Sequence, residues 1–188
     1  MSAQSAFSSQ LILVTGPARS GKSEWAETLA KQAGKPVIYV ATAQVEPTDL
    51  EWCDRIEQHR RRRPSEWTTV QEPVHLVDAI QGSPAGGCLL VDSLGTWVAN
   101  LLEQDDATWE RTLQALLDSL EQVVADTIFV AEETGWGVVP AYPTGRTFRD
   151  RLGAVVRRVG AIANSVYLVT GGYALDLSRL GSPLPPHR

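Results

Sequence analysis

One segment limits what this chain can fold into more than any other: Gly16-Pro17-Ala18-Arg19-Ser20-Gly21-Lys22-Ser23. Before it runs Leu11-Ile12-Leu13-Val14-Thr15, a short, nearly continuous apolar stretch of the kind that forms a buried parallel strand. After it, residues 22–33 place Trp25, Ala26, Leu29 and Ala30 on one side of a helix, and Gly34 is a fitting stop. The GxxxxGKS spacing alone also occurs in ordinary glycine-rich turns. A strand before it and a helix after it give it weight. Gly16 and Gly21 permit a tight backbone path around Pro17, Ala18, Arg19 and Ser20. Loop amides and the helix N-terminus then face an anion. Such a cradle fits the phosphates of ATP or GTP. Lys22 is expected to reach the β- and γ-phosphates, and Ser23 to offer its hydroxyl to Mg2+.

The rest of the chain alternates in the same way. Strands are expected at residues 37–41, 88–91, 127–131 and 166–170. Helices are expected at 50–60, 96–103, 108–124 and 149–163, with Pro64 closing the first of them. Short apolar strands between helices point to a three-layer α/β domain with a mostly parallel sheet. Asp92 follows the apolar run Leu89-Leu90-Val91, at the end of a strand where open α/β sheets place their ligands. It is a candidate Mg2+ ligand, direct or through water. The competing reading is a helix cap or turn aspartate before Ser93 and Gly95.

Composition narrows the class. The net charge is −5 and the pI about 5.2, which offers no general surface for nucleic acid. Cys53 and Cys88 are far apart and form no disulfide framework, as expected of a reducing cytoplasm. The apolar run at 11–14 is too short for a signal core or a stable membrane insertion. Residues 1–10 and 181–188 read as flexible tails around one domain at 11–180.

His59 ends the charged stretch Asp54-Arg55-Ile56-Glu57-Gln58-His59 and precedes Arg60-Arg61-Arg62-Arg63. Arg55 lies one helical turn before it, on the same face. Arginines beside a histidine suit an anionic phosphate between them. A neutral imidazole can attack phosphorus and form a phosphoramidate. The plainer alternatives are a histidine packed beside Ile56 and Trp52, and a solvated arginine patch. His75 and His187 read as structural and solvated.

The chain resembles the bifunctional adenosylcobinamide kinase / adenosylcobinamide-phosphate guanylyltransferase family. The resemblance rests on ordered blocks from Leu11 to Gly171: the loop with Arg19 inside it, Tyr39-Val40-Ala41-Thr42-Ala43, and Arg55-Ile56-Glu57-Gln58-His59 with Arg63-Pro64. It continues in Thr96-Trp97-Val98-Ala99-Asn100, Glu133-Thr134-Gly135-Trp136-Gly137 and Phe148-Arg149-Asp150-Arg151-Leu152-Gly153. It implies a RecA-like P-loop fold, a homotrimer, and two reactions. In the first, a nucleoside triphosphate phosphorylates adenosylcobinamide. In the second, GMP passes from GTP through a guanylylated histidine, His59 here, to the cobinamide phosphate. Arg55 and Arg63 would steady the phosphates, and Glu133 is a candidate polar contact to the nucleotide. Gln58 replaces a second histidine common in the family, and Val156-Arg157 replace an Asn-Gln pair. A kinase without transferase activity therefore stays open as an alternative, as does a P-loop switch acting on protein partners.

Overall fold

The computed structural model describes residues 9–44 and 60–184, together with Thr48, Asp54, Ile56 and Glu57. The strands are β1 (Leu11–Gly16), β2 (Val37–Ala41), β3 (Thr68–Gln71), β4 (Cys88–Asp92), β5 (Asp126–Glu132), β6 (Ser165–Thr170) and β7 (Tyr173–Asp176). They form one seven-stranded sheet in the order β3-β2-β4-β5-β1-β6-β7. Every neighbouring pair is parallel except β6 and β7. Five strands fall where apolar runs predict them. The two edge strands carry too little apolar pattern to be read: all four residues of β3 are exposed, and β7 alternates exposed and half-buried residues.

The helices are α1 (Lys22–Gln32), α2 (Leu76–Gln81), α3 (Leu94–Asn100), α4 (Asp106–Gln122), α5 (Pro143–Ile162) and α6 (Leu177–Leu180). Asp54, Ile56, Glu57 and residues 60–62 are also helical. Several helices start earlier than their apolar periodicity indicates, because caps rather than core residues set their ends. Ser93 caps α3 by accepting from the Thr96 amide in a reciprocal capping box. Asp105 caps α4 by accepting from the Thr108 amide. Pro143 opens α5 with its missing N–H at no cost.

Each central strand is buried on both faces, and alternate residues enter separate cores. On one face Leu13, Leu89, Val91 and Phe129 pack with Trp97, Leu116, Leu152 and Val155 from α3, α4 and α5. On the other, Val14, Leu90, Ile128 and Val130 pack with Ala26 and Ala30 of α1. Helices thus cover both faces of a largely parallel sheet. The carboxyl ends of β1, β4 and β5 emerge together at one end of the sheet. No helix among the described residues is long and apolar enough to cross a membrane.

Candidate active site

The loop after β1 is shaped by two close approaches. A Cβ on Gly16 would sit 2.3 Å from the Val169 carbonyl oxygen of β6, so only glycine fits there. Gly21 caps α1 at φ 90°, the left-handed region. Arg19 also has positive φ, at 58°, which is uncommon for a side-chain-bearing residue and places an exposed guanidinium on the rim of the turn. Lys22 is buried, and its Nζ donates to the Pro17 carbonyl at 3.4 Å. The ammonium thus curls back over its own loop. The Ser20 hydroxyl is sealed inside the turn with no hydrogen-bond partner.

The β1 strand is locked to β5 up to the start of the loop. The Glu133 amide donates to the Gly16 carbonyl at 2.9 Å. The Thr15 hydroxyl donates to Glu133 Oε1 at 2.7 Å. Glu133 therefore ties the strand that carries the loop. Its neighbour Glu132, which the sequence reading did not single out, faces the cavity described below. The Ser93 hydroxyl donates to Glu132 Oε1 at 2.7 Å, while Oε2 is sealed and accepts nothing. Burial pushes the Glu132 carboxyl above its ordinary range, against the opposing Ser93 hydrogen bond and the charge of Lys22. The sequence signal that was available is position: Glu132 is the last residue of a buried strand beside β1.

Asp92 ends β4, aligned with Ala41 of β2 and Val130 of β5. The buried Tyr39 donates its hydroxyl to Asp92 Oδ2 at 2.9 Å. Burial, and then the Asp92 charge, push the Tyr39 phenol well above its usual value, so it stays a donor. The Arg63 guanidinium lies over the Tyr39 ring at 3.9 Å and donates to Thr69 at 3.1 Å.

The other arginines of the run separate into different tasks. Arg60 and Arg61 both bind Glu57, holding its carboxyl down to about 2. Arg62 reaches across to Glu24 and Glu27 of α1. The run is therefore neither a uniform solvated patch nor a single clamp. Arg149 pairs with Asp150 at 2.7 Å, well inside α5.

A cavity of about 220 Å³ joins these parts. Lys22, Ser23, Arg63, Asp92 and Glu132 line it, with Tyr39 on its wall. Glu133 is not among its lining residues. His59 and Arg55 lie outside the described residues, while Ile56 and Arg60 line the cavity. The oxygen donors of Ser23 and Asp92 suit a hard cation that keeps waters and phosphate oxygens in its shell. Such a cavity can bind a triphosphate at the loop and stabilise charge during transfer at phosphorus.

Comparison with known proteins places this geometry. The model of the family described as cobinamide kinase / cobinamide phosphate guanyltransferase matches residues 12–177. The bifunctional adenosylcobalamin biosynthesis protein CobP of Pseudomonas aeruginosa is 40% identical over 174 residues, covering 92% of this chain and 98% of that protein. The bifunctional adenosylcobalamin biosynthesis protein CobU of Escherichia coli K12 is 35% identical over 182 residues, covering 89% and 99%. Among solved structures, an ATPase of a bacterial type III secretion system superposes with a TM-score of 0.57 at 13% identity, over 91% of this chain and 53% of its own. That likeness concerns the fold alone. From the family match and the near-full-length relatives, the chain belongs to the cobinamide kinase / cobinamide phosphate guanyltransferase family.

Proposed function

We infer that this chain phosphorylates adenosylcobinamide and then transfers GMP from GTP to the product through a histidine-GMP intermediate, yielding adenosylcobinamide-GDP and pyrophosphate. Family membership carries the activity. The observation that supports a mechanism is the convergence of Lys22, Ser23, Asp92 and Arg63 on one cavity.

In the kinase step the loop from Gly16 to Ser23 holds the triphosphate of ATP or GTP, and Lys22 leaves Pro17 to meet the β- and γ-phosphates. Ser23 and Asp92 would hold Mg2+. When bound, the ion neutralises charge on the phosphate oxygens. In the transfer step His59 attacks the α-phosphorus of GTP and expels pyrophosphate. The cobinamide phosphate then attacks the bound GMP and releases the imidazole. Arg55 and Arg63 are assigned to phosphate contacts, and Glu133 to holding the loop's base rather than the nucleotide. That last assignment follows from its bond to Thr15. We read the fold as RecA-like because β5 stands between the loop strand β1 and the Asp92 strand β4. We further propose that residues 11–180 form one catalytic domain, cytoplasmic and assembled as a homotrimer, as the family resemblance and the two separate cysteines suggest. Sedimentation equilibrium showing the mass of a single chain would remove the trimer.

The deciding experiment is intact-mass analysis after mixing the protein with GTP and Mg2+, followed by mapping of the modified residue. A GMP adduct on His59 is expected. His59→Ala is expected to lose it while retaining kinase turnover. An adduct kept by that variant would overturn the assignment.

A further inference from the structure

Glu132 is the acidic residue of the cavity for which the binding steps have no use. It is aligned with Gly16, the first residue of the phosphate loop, in the β1/β5 pairing. Its strand lies between the one carrying the loop and the one carrying Asp92. The carboxylate therefore rises between Lys22 and Asp92, and it lines the same cavity. One oxygen is oriented by the Ser93 hydroxyl. The other is sealed and unpartnered. A sealed carboxylate oxygen without a donor is costly and calls for an explanation. The local packing preserves it: a Cβ on Gly95 would come within 1.8 Å of Glu132 Oε2. The small residue at the start of α3 leaves the carboxylate its place.

We propose that Glu132 is the proton acceptor of the kinase half-reaction. The substrate hydroxyl oxygen forms a bond to the γ-phosphorus. The bond from that phosphorus to the β,γ-bridging oxygen breaks, and its electron pair leaves with the nucleoside diphosphate. The hydroxyl proton passes to Glu132 Oε1, the oxygen that Ser93 orients, and later to solvent, while Oε2 stays packed against Gly95. The transfer half-reaction needs no such acceptor, because its nucleophiles are an imidazole and a phosphate that is already anionic. This proposal rests on the kinase reading above, and it predicts a split between the two activities.

The test measures each half-reaction separately in full-length Glu132→Gln: γ-phosphate transfer to adenosylcobinamide, and GMP transfer to preformed cobinamide phosphate. Glutamine keeps the shape and the Ser93 contact but accepts no proton. Kinase kcat is expected to fall about 10²–10³-fold, the usual contribution of a positioned base. GMP transfer is expected to fall far less. Gly95→Ala supplies an independent arm, because its methyl group displaces the end of a flexible side chain and leaves Glu132 chemically intact. It is expected to lower kinase turnover at least about tenfold, a partial loss of the base's contribution. If the glutamine variant fails to fold, the alanine variant decides. Kinase activity within about threefold of wild type, too small for loss of a base, would overturn the proposal. So would equal losses in both half-reactions, which would mark Glu132 as a nucleotide-holding residue. Wild-type protein that makes no cobinamide phosphate would overturn the underlying reading before any variant is compared.

Discussion

The Tyr39 hydroxyl donates to Asp92 Oδ2 at 2.9 Å from beneath the Arg63 guanidinium. One buried ring thus links the arginine-rich segment to the carboxylate at the end of β4. It fixes the orientation of the Asp92 carboxylate. Tyr39→Phe keeps the ring under Arg63 and removes only the donor. The Mg2+ concentration for half-maximal kinase activity is expected to rise severalfold, with a stability loss of about 1 kcal/mol for the missing hydrogen bond. A titration of activity against Mg2+ checks this. An unchanged midpoint would separate Tyr39 from the cation site.

Lys22 offers a cleaner test of the loop. Its ammonium rests on the Pro17 carbonyl and is placed to move to a phosphate. Lys22→Met keeps the buried aliphatic stem. Kinase kcat/KM is expected to drop roughly 10²–10³-fold, the scale for losing one preorganised charge donor. The melting temperature should stay close to wild type. Steady-state assays and thermal melts distinguish lost chemistry from lost fold.

Glu27 predicts a pH dependence of stability. It is buried on α1, and burial raises its carboxyl above the ordinary 4.5, with Arg62 partly opposing the shift. A carboxyl raised in the folded state binds more protons there than in the unfolded chain. Its favourable contribution is full below about pH 4.5 and is lost as pH climbs through the raised folded value. Glu27→Gln carries no such titration. The stability difference, variant minus wild type, is therefore expected to grow as pH rises through that window. Urea melts from pH 4 to 8 measure it, and a difference independent of pH would contradict the assignment.

Arg151 has a structural task. Its buried guanidinium donates to the carbonyls of Leu101, Leu102 and Gln104 at 3.2, 3.4 and 2.7 Å. These oxygens lie just past the end of α3, where the helix leaves carbonyls without partners. Arg151→Met is expected to cost about 3 kcal/mol through the lost charged hydrogen bonds and the carbonyls they leave bare. Denaturant melts check this. A loss below about 1 kcal/mol would show that water satisfies those carbonyls instead.

Local pattern by itself determined the central strands, the phosphate loop and Asp92. Each is announced within a few neighbouring residues: an apolar run, a glycine spacing, an acid at a strand end. The family blocks determined the activity in the same way. Tertiary structure alone decided the edge strands, whose exposed residues carry no core periodicity, and the helix starts, which depend on caps. It alone decided that Glu132 faces the cavity while Glu133 braces Thr15, because adjacent residues on a strand point to opposite faces and only the pairing of β5 with β1 says which is which. In sequence the arginine run stands between a phosphate contact and a solvated patch. Its members take different partners because residues 60–62 follow a helix and Arg63 lies just past its end: Arg60 and Arg61 turn to Glu57, Arg62 to α1 and Arg63 to Tyr39. The phosphate loop was legible from eight consecutive residues, whereas Glu132 joined Asp92 at the cavity only once non-adjacent strands had been brought side by side.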